Sequence, residues 1–267
     1  MKTTIYHFLL MALPFSAIAQ NNGVNFIPDA KEADVQKRRI FCPAGLFTTE
    51  RSNIYGISTG YGSHRLPDSD GNFVRSNGIR IEPLSEALFY LVPFMAPDGI
   101  DYPKPNEIDD FKKLQPNETV NGVNLSSGTI GFININGISI SGVAQSINKS
   151  NGISLAAVSN SSFQNNGIQI AMGDCAAVYS NGILISYLGS YTLEGNGLMA
   201  GCFNEYVKFN GLQIGFLNDI ENKSETFTGL QIGVYNSTKK LRGVQLGLMN
   251  VNEKRTLPLI NWNFKKA

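Results

Sequence analysis

The chain has 267 residues, and its formal net charge is only +1 because 22 Lys and Arg are balanced by 21 Asp and Glu. Charged residues make up 16% of the chain, against ~25% in an ordinary soluble domain, and hydrophobic residues make up 42%. So few cations exclude a nucleic-acid binder, whose affinity comes from Lys and Arg that neutralise phosphates. The hydrophobic content excludes a wholly disordered chain.

Residues 1–19 predict a cleaved export signal. Lys2 is followed by an apolar run from Ile5 to Ile18, and Ala17-Ile18-Ala19 has the small-x-small pattern of a cleavage site. A helix over that run spans ~21 Å, which is too short for the ~30 Å hydrocarbon core of a bilayer. We therefore expect an exported protein whose mature chain starts at Gln20, with no later helical membrane span.

Three cysteines, Cys42, Cys175 and Cys202, follow the predicted signal. Their number is odd and their spacing matches no metal motif. An exported chain meets oxidising conditions, so one disulfide is an option, but the spacing does not choose its pair. The alternative for Cys175 and Cys202 is that they are small apolar side chains of a core.

Glycine recurs at nearly constant intervals of 14 to 18 residues, which marks an internal repeat. Asparagine precedes the first seven of these glycines. The predicted repeat corners are Asn121, Gly122, Asn136, Gly137, Asn151, Gly152, Asn166, Gly167, Asn181, Gly182, Asn196, Gly197, Asn210, Gly211, Gly229 and Gly243. Asn77-Gly78 is an outlying copy, and Tyr55-Gly56 is a candidate for a degenerate first one.

Aligned on their glycine, the repeats show constant columns. The first and third residues after the glycine are aliphatic, apart from Ala200, whereas the second is mostly Asn, Ser or Gln and the fourth is Ser, Ala or Gly. Period-two alternation predicts a short strand with one buried face, and we expect the aliphatic columns to fill the interior. A helix is disfavoured because every repeat carries a glycine.

Asn-Gly favours a tight turn, and a second turn is expected near Ser159-Asn160, Gly173-Asp174 and Gly189-Ser190. Two all-β architectures fit such a unit. One is a β-solenoid of about nine coils of 14–18 residues, and the other is a closed antiparallel β-barrel. Constant Asn and Gln columns favour the solenoid, in which like side chains stack and form hydrogen-bonded ladders.

The last repeats also carry a family signature. Residues 211–218, 229–236 and 243–250 follow the pattern G-[LV]-Q-[IL]-G-x-x-N, and this pattern resembles the exported surface-repeat proteins of Bacteroidetes and spirochaetes. The closing segment 257–264 is also similar. The resemblance covers roughly residues 121–267 and implies an envelope-associated protein without an established enzymatic activity. The middle repeats depart from the pattern, with Ser or Ala in place of its second glycine.

Composition divides the chain into five predicted segments. They are a signal peptide (1–19), an N-terminal leader (20–52), degenerate repeats with a proline-rich polar excursion (53–120), the β-repeat array (121–254) and a C-terminal cap (255–267). The 44-residue step from Gly78 to Gly122 is either an inserted loop or further degenerate repeats. Residues 83–91 are expected to form an apolar helical turn or a strand.

Candidate chemistry is sparse. His64 lies in a turn-rich stretch without a catalytic partner, and Asp68-Ser69-Asp70-Gly71-Asn72 lacks the glycine and glutamate of a calcium loop. The sequence therefore predicts no catalytic residue, no cofactor and no metal site.

The functional hypothesis is a non-catalytic exported protein of the bacterial envelope that acts as a structural or interaction surface. Its partner would be an unidentified envelope protein or a glycan, and not a nucleic acid. Membrane association without a transmembrane helix stays open, and the alternative function is a small outer-membrane β-barrel that acts as a pore or anchor.

Overall fold

The computed structural model describes residues 39–45, 52–60, 73–85, 87–88, 116–219 and 224–264. The chain divides into two compact units, residues 1–148 and 149–267. Every extended element in the described residues is a β-strand, and they contain no α-helix. The two units are taken in turn.

The first unit is a stack of parallel strands. Its elements are β1 (Arg39–Phe41), β2 (Ala44–Gly45), β3 (Ser52–Thr59), β4 (Val74–Glu82), β5 (Glu118–Ser126), β6 (Thr129–Ser141) and the first residues of β7 (Ala144–Ala156). Strands β3 to β6 pair in parallel order, and their glycines Gly56, Gly78, Gly122 and Gly137 are register partners in turn. Because Gly78 pairs directly with Gly122, the 44-residue step advances the stack by a single coil, and the alternative of further degenerate repeats is wrong.

The second unit continues the same pairing pattern. Its elements are the rest of β7, β8 (Ser159–Asn165), β9 (Ile168–Ala171), β10 (Asp174–Ser186), β11 (Gly189–Asn218), β12 (Thr226–Ile232), β13 (Tyr235–Thr238), β14 (Lys240–Asn252) and β15 (Arg255–Asn263). The paired strands of this unit are parallel within the described residues, except that β15 runs antiparallel to β14. The seven repeat glycines of this unit run from Gly152 to Gly243.

In each unit, the strands of successive repeats pair in parallel, so each repeat advances the chain by one strand spacing. Each unit is therefore a β-solenoid, which confirms the favoured fold class. The alternative of a closed antiparallel barrel is wrong, because successive repeats pair in the same direction. The repeat count is larger than nine. Four coils in the first unit and seven in the second carry the repeat glycine, since Tyr55-Gly56 and Asn77-Gly78 both occupy true coil positions.

A coil that returns one strand spacing from its start must reverse direction twice. One reversal is the bend five and six residues after the glycine, as at Tyr187-Leu188. We assign the other to the repeat glycine, where Gly211 has a φ of 143°. A Cβ on Gly211 would lie 2.0 Å from the carbonyl oxygen of Gly197 in the coil before, so no other residue fits.

The orientation of the strand between the two reversals is opposite to the sequence-based expectation. The second residue after the glycine, which is Gln213, Gln231 and Gln245 in three late coils, is fully buried. The aliphatic residues on either side of it point outward, and Ile214 is 42% exposed. The prediction that the aliphatic columns fill the interior is therefore wrong.

The buried column is polar in most coils because its side chains find partners inside the protein. Gln245 Nε2 donates to Gln231 and to the carbonyl of Val251. Buried polar groups that are hydrogen-bonded in this way carry little penalty. The same column holds Leu184 and Met199, which are also fully buried, so its burial follows from the direction of the strand and does not require a polar side chain.

Two amide ladders fill the interior of the late coils. Gln245 donates to Gln231 and Gln231 donates to Gln213, each over 2.7 Å. The second ladder runs Asn204, Asn218, Asn236, Asn250 over 2.7–2.8 Å. These bonds confirm the expected stacking of identical side chains.

The apolar part of the interior is aliphatic around Ile133, Ile135 and Ile147 in the first unit and includes an aromatic group in the late coils of the second. The rings of Phe209 and Phe227 stack with centroids 6.0 Å apart, and the ring of Tyr206 lies 5.6 Å from that of Phe227. All three cysteines are free thiols, so none forms a disulfide. Cys175 is fully buried, as expected for a core residue, whereas Cys202 is half-buried and Cys42 is exposed.

Several sequence predictions fall outside the described residues. These are the signal peptide, most of the leader, His64, the 68–72 segment and residues 89–115. Of the 83–91 segment, Ala87 and Leu88 form a short helical turn that packs on Ile130, Val143 and Ala144.

Candidate interaction face

The outward side of the strand after each repeat glycine is the most distinctive surface of the second unit. Because strand side chains alternate, the first and third residues after the glycine share one side of the sheet. We call this surface the apolar wall. Its members are Ile153, Ile168, Ile183, Leu198, Leu212, Leu230 and Val244 in the first column, and Leu155, Ile170, Ile185, Ala200, Ile214, Ile232 and Leu246 in the second.

The side chains of the wall stay accessible to solvent although they are aliphatic. Ile153, Ile185 and Ile214 are 36–42% exposed. The other members of both columns are either exposed or half-buried, and none is fully buried. Side-by-side packing along the columns covers part of each side chain, since parallel strands lie ~4.8 Å apart. What remains is a continuous stripe and not a set of isolated residues, which is the pattern typical of an interaction site.

A third apolar column borders the wall at the bend, five residues after the glycine. Met172, Tyr187 and Leu248 are 75%, 72% and 68% exposed. We call this column the apolar edge, and its members are Ala157, Met172, Tyr187, Cys202, Phe216, Val234 and Leu248. The wall and the edge together form one apolar surface without a charged residue among their positions.

The first unit has the same two wall columns but a different border. Its wall positions are Ile57, Ile79, Val123 and Ile138, with Thr59, Ile81, Leu125 and Ile140. Its bends carry Ser127 and Gly142 at the position of the apolar edge. The wide apolar surface is therefore a property of the second unit.

The opposite strand of each coil behaves differently. Its large side chains in the middle coils, such as Phe163, Val178 and Tyr191, are buried and 7% exposed or less. The apolar wall is thus the side of the second unit on which large aliphatic side chains stay accessible.

The predicted repeat corners flank this wall. Their asparagine side chains form an outer ladder, in which Asn166 donates to Asn151 and Asn196 to Asn181 over 2.8 and 2.9 Å. In the first unit Asn136 donates to Asn121 in the same way. The amides satisfy one another along the column, and Arg242 occupies the corresponding position in the last coil. The structure places these residues together as a border of the wall.

Sequence reasoning missed a buried ionic cluster in the first unit. Arg80 is 1% exposed, and its guanidinium contacts Glu82 over 2.8 Å and Glu118 over 3.0 Å. Asn124 Oδ1 accepts a further bond from Arg80 Nη1. The only available signal was an arginine at the interior position of its repeat, two residues after Gly78.

The second unit holds one half-buried acid with an altered titration. Burial raises the pKa of Asp174 to about 6, against the opposing hydrogen bond that Ser159 Oγ donates to it over 2.9 Å. Burial and the neighbouring Asp174 also raise the pKa of the Cys175 thiol, so the thiol stays protonated. Within the described ranges no three His, Cys, Asp or Glu residues converge as metal ligands would.

Comparison with family models, curated proteins and solved structures gives no match for this chain. The resemblance to exported surface-repeat proteins therefore remains a prediction from its motif. In the part of the chain that the structure describes, no helix has the length and apolar character needed to span a bilayer.

Proposed function

We propose that this chain is a non-catalytic, exported repeat protein of the bacterial envelope and that the apolar wall with its edge is its interaction surface. The observation that carries the proposal is the continuous exposure of two aliphatic columns and one apolar edge over seven coils. Exposed apolar patches larger than a few hundred Å² are rare on proteins that act alone. The predicted export signal at residues 1–19 supports a location in the envelope.

The solenoid supplies what such a surface requires. Each wall residue is held by a backbone that pairs on both sides, so the side chains keep a fixed spacing without a partner. Because the wall is already ordered in the free protein, a partner that binds it does not lose binding free energy to the ordering of its side chains. The partner class in this proposal is an envelope protein or a glycan.

Export is tested by expressing the full chain in a Gram-negative host and determining the N-terminus of the product by mass spectrometry. We expect the mature chain to begin at Gln20 and to leave the cytoplasm. The matched variant, Leu9→Arg with Leu10→Arg, removes the apolar run and should keep Met1 and stay in the cytoplasm. A wild-type chain that keeps its first nineteen residues would contradict the predicted signal.

The surface is tested by co-sedimentation of purified chain with washed envelope fragments. The double variant Ile185→Glu/Ile214→Glu places two charges on the wall and should lose at least ~10-fold in bound fraction, because an unpaired charge resists desolvation. Lys239→Glu makes the same change in net charge at an exposed bend and should bind like the wild type. Equal binding by all three chains would remove the wall from the proposal.

A further inference from the structure

We propose that the apolar wall of the second unit binds the apolar wall of a second copy of this chain, so that two solenoids pack face to face. The inference rests on the proposed function, because it takes the wall to be the interaction surface, and it names the partner. Three properties of the wall lead to this partner: its area, its period and its lack of charge.

The area matches that of a specific dimer. Seven strands at ~4.8 Å give a length of ~34 Å, and the six residue steps from the asparagine column to the apolar edge give a width of ~20 Å. One wall therefore presents ~700 Å², and two copies together would bury ~1,400 Å². Stable specific interfaces bury ~1,200–2,000 Å² in total, so a single wall-to-wall contact is large enough.

The period of the wall matches only a surface with the same period. Ile, Leu and Val recur at the strand spacing in both columns, which leaves a groove between neighbouring rows. A second wall has rows and grooves of the same spacing, so the side chains of two copies interdigitate, as they do where β-sheets pack ~10 Å apart. Identical side chains that pack between paired sheets in this way form dry contacts.

The absence of charge removes the usual obstacle to self-association. Two copies of a charged patch repel, whereas none of the wall or edge positions in the second unit is Asp, Glu, Lys or Arg. The same absence argues against a lipid surface as the partner. Segments that lie on membranes place Lys and Arg beside their apolar side, and the border column here is mainly asparagine.

The geometry also fixes where a test must be made. The middle coil of the seven carries Gly197, and Ile185 and Ile214 lie one coil to each side of it in the same column. A twofold axis through the middle coil places Ile185 opposite either Ile185 or Ile214 of the second copy. Charges at both positions therefore meet like charges in either arrangement.

The experiment is sedimentation velocity on the purified chain and on three variants. The wild type should be a dimer at micromolar concentration. Ile185→Glu/Ile214→Glu and Ile185→Lys/Ile214→Lys should each raise the dissociation constant at least ~100-fold, because like charges across an interface are strongly unfavourable. Lys239→Glu, which has the net charge of the double Glu variant, should remain a dimer.

The decisive sample is an equimolar mixture of the Glu and Lys variants. Opposite charges then face each other, so the mixture should form a heterodimer although each variant alone is a monomer. Circular dichroism and thermal unfolding check that the variants fold, and Ile185→Thr/Ile214→Thr is the milder replacement if they do not. That variant should weaken the dimer at least ~10-fold.

A wild type that stays monomeric at ~100 μM would overturn the inference, since interfaces of this area are micromolar or tighter. So would a dimer that the Glu variant does not weaken. A monomer that floats with phosphatidylglycerol–phosphatidylethanolamine vesicles through the wall would assign the face to lipid instead. If the chain is a monomer and its binding to envelope fragments depends on the wall, the second copy is not the partner. That result would overturn this inference but would agree with the proposed function.

Discussion

Arg80 shows how one interior residue sets the chemistry of two neighbouring coils. It occupies the position that other coils give to Asn, Ser or Gln, and its charge is matched by Glu82 and Glu118 from its own and the next strand. Ser76 Oγ also donates to Glu118 over 2.9 Å. The cluster therefore depends on every one of its members being present.

Replacing Arg80 by Met should lower the free energy of unfolding of the first unit by ~3–5 kcal/mol, because two carboxylates lose their buried cation. Urea unfolding followed by circular dichroism measures the loss. Arg75→Met is the control, since Arg75 is exposed and only its stacking on Phe73 is lost; it should cost about 1 kcal/mol or less. Arg80→Met combined with Glu82→Gln and Glu118→Gln should recover part of the stability, and no recovery would contradict the ionic explanation.

Asp174 gives the second unit a pH-dependent stability. Its pKa of about 6 in the folded chain lies above its ordinary value of 3.8, so the folded state holds a proton that the unfolded state releases. Stability from this group is therefore fully present below about pH 4 and is lost as the pH rises through about 6. Asp174→Asn should stabilise the unit at pH 7 by ~3 kcal/mol at most and should abolish this part of the pH profile.

Urea unfolding at pH 4 and pH 7 tests the Asp174 prediction. Glu194→Gln is the matched control, because Glu194 is 53% exposed and should leave the profile unchanged. The raised pKa of Asp174 would be contradicted if the unfolding free energy of the wild type rose from pH 4 to pH 7 by as much as that of Asp174→Asn.

At the scale of the strand and its bends, two asparagine ladders with nearly equal bond lengths, 2.9 Å in the outer one and 2.7–2.8 Å in the inner one, differ in what they support. The outer ladder at Asn181 and Asn196 faces solvent, where water replaces a lost partner. The inner ladder at Asn218, Asn236 and Asn250 also satisfies backbone carbonyls at the bends. The free energy of each ladder therefore depends on burial and not on the length of its bonds.

Asn236→Ala should cost ~2–4 kcal/mol of unfolding free energy, since it removes three buried hydrogen bonds at once: those that Asn236 Nδ2 donates to the Leu246 carbonyl and to Asn250 Oδ1, and that which Asn218 Nδ2 donates to Asn236 Oδ1. Asn196→Ala, which removes a ladder bond of nearly the same length at the surface, should cost less than ~1 kcal/mol. Thermal unfolding of both variants measures the difference. Equal losses would mean that the inner ladder contributes no more than the outer one.

At the scale of the whole molecule, the sequence predicts the coil and its ladders but not which side of the strand is buried. Constant Asn, Gln and Gly columns identify the repeat because stacked coils place like residues at one strand spacing. Hydrophobicity alone then assigns the aliphatic columns to the interior, and this is wrong because the buried column is the one between them, whether it carries Gln in the late coils or Leu184 and Met199 before them. The repeated Gln of the last three coils was the available signal: a buried amide ladder requires one residue type, whereas a solvated column does not.

The Arg80 cluster could not be predicted in the same way. Arg80 and Glu118 are 38 residues apart, and Arg80 and Asn124 are 44 apart. Their contact depends on the 44-residue step between Gly78 and Gly122, which breaks the regular interval from which the other contacts follow.

The reversed strand β15 has a consequence for how the chain avoids polymerising. A stack of parallel coils ends in a row of backbone donors and acceptors on which a further coil of another molecule could template itself, and an open fibre would follow. Strand β15 occupies this row along β14 in the opposite direction, with Pro258 unable to donate and Leu259 at a φ of 64°. A parallel coil of another molecule therefore cannot pair with β14 along this row.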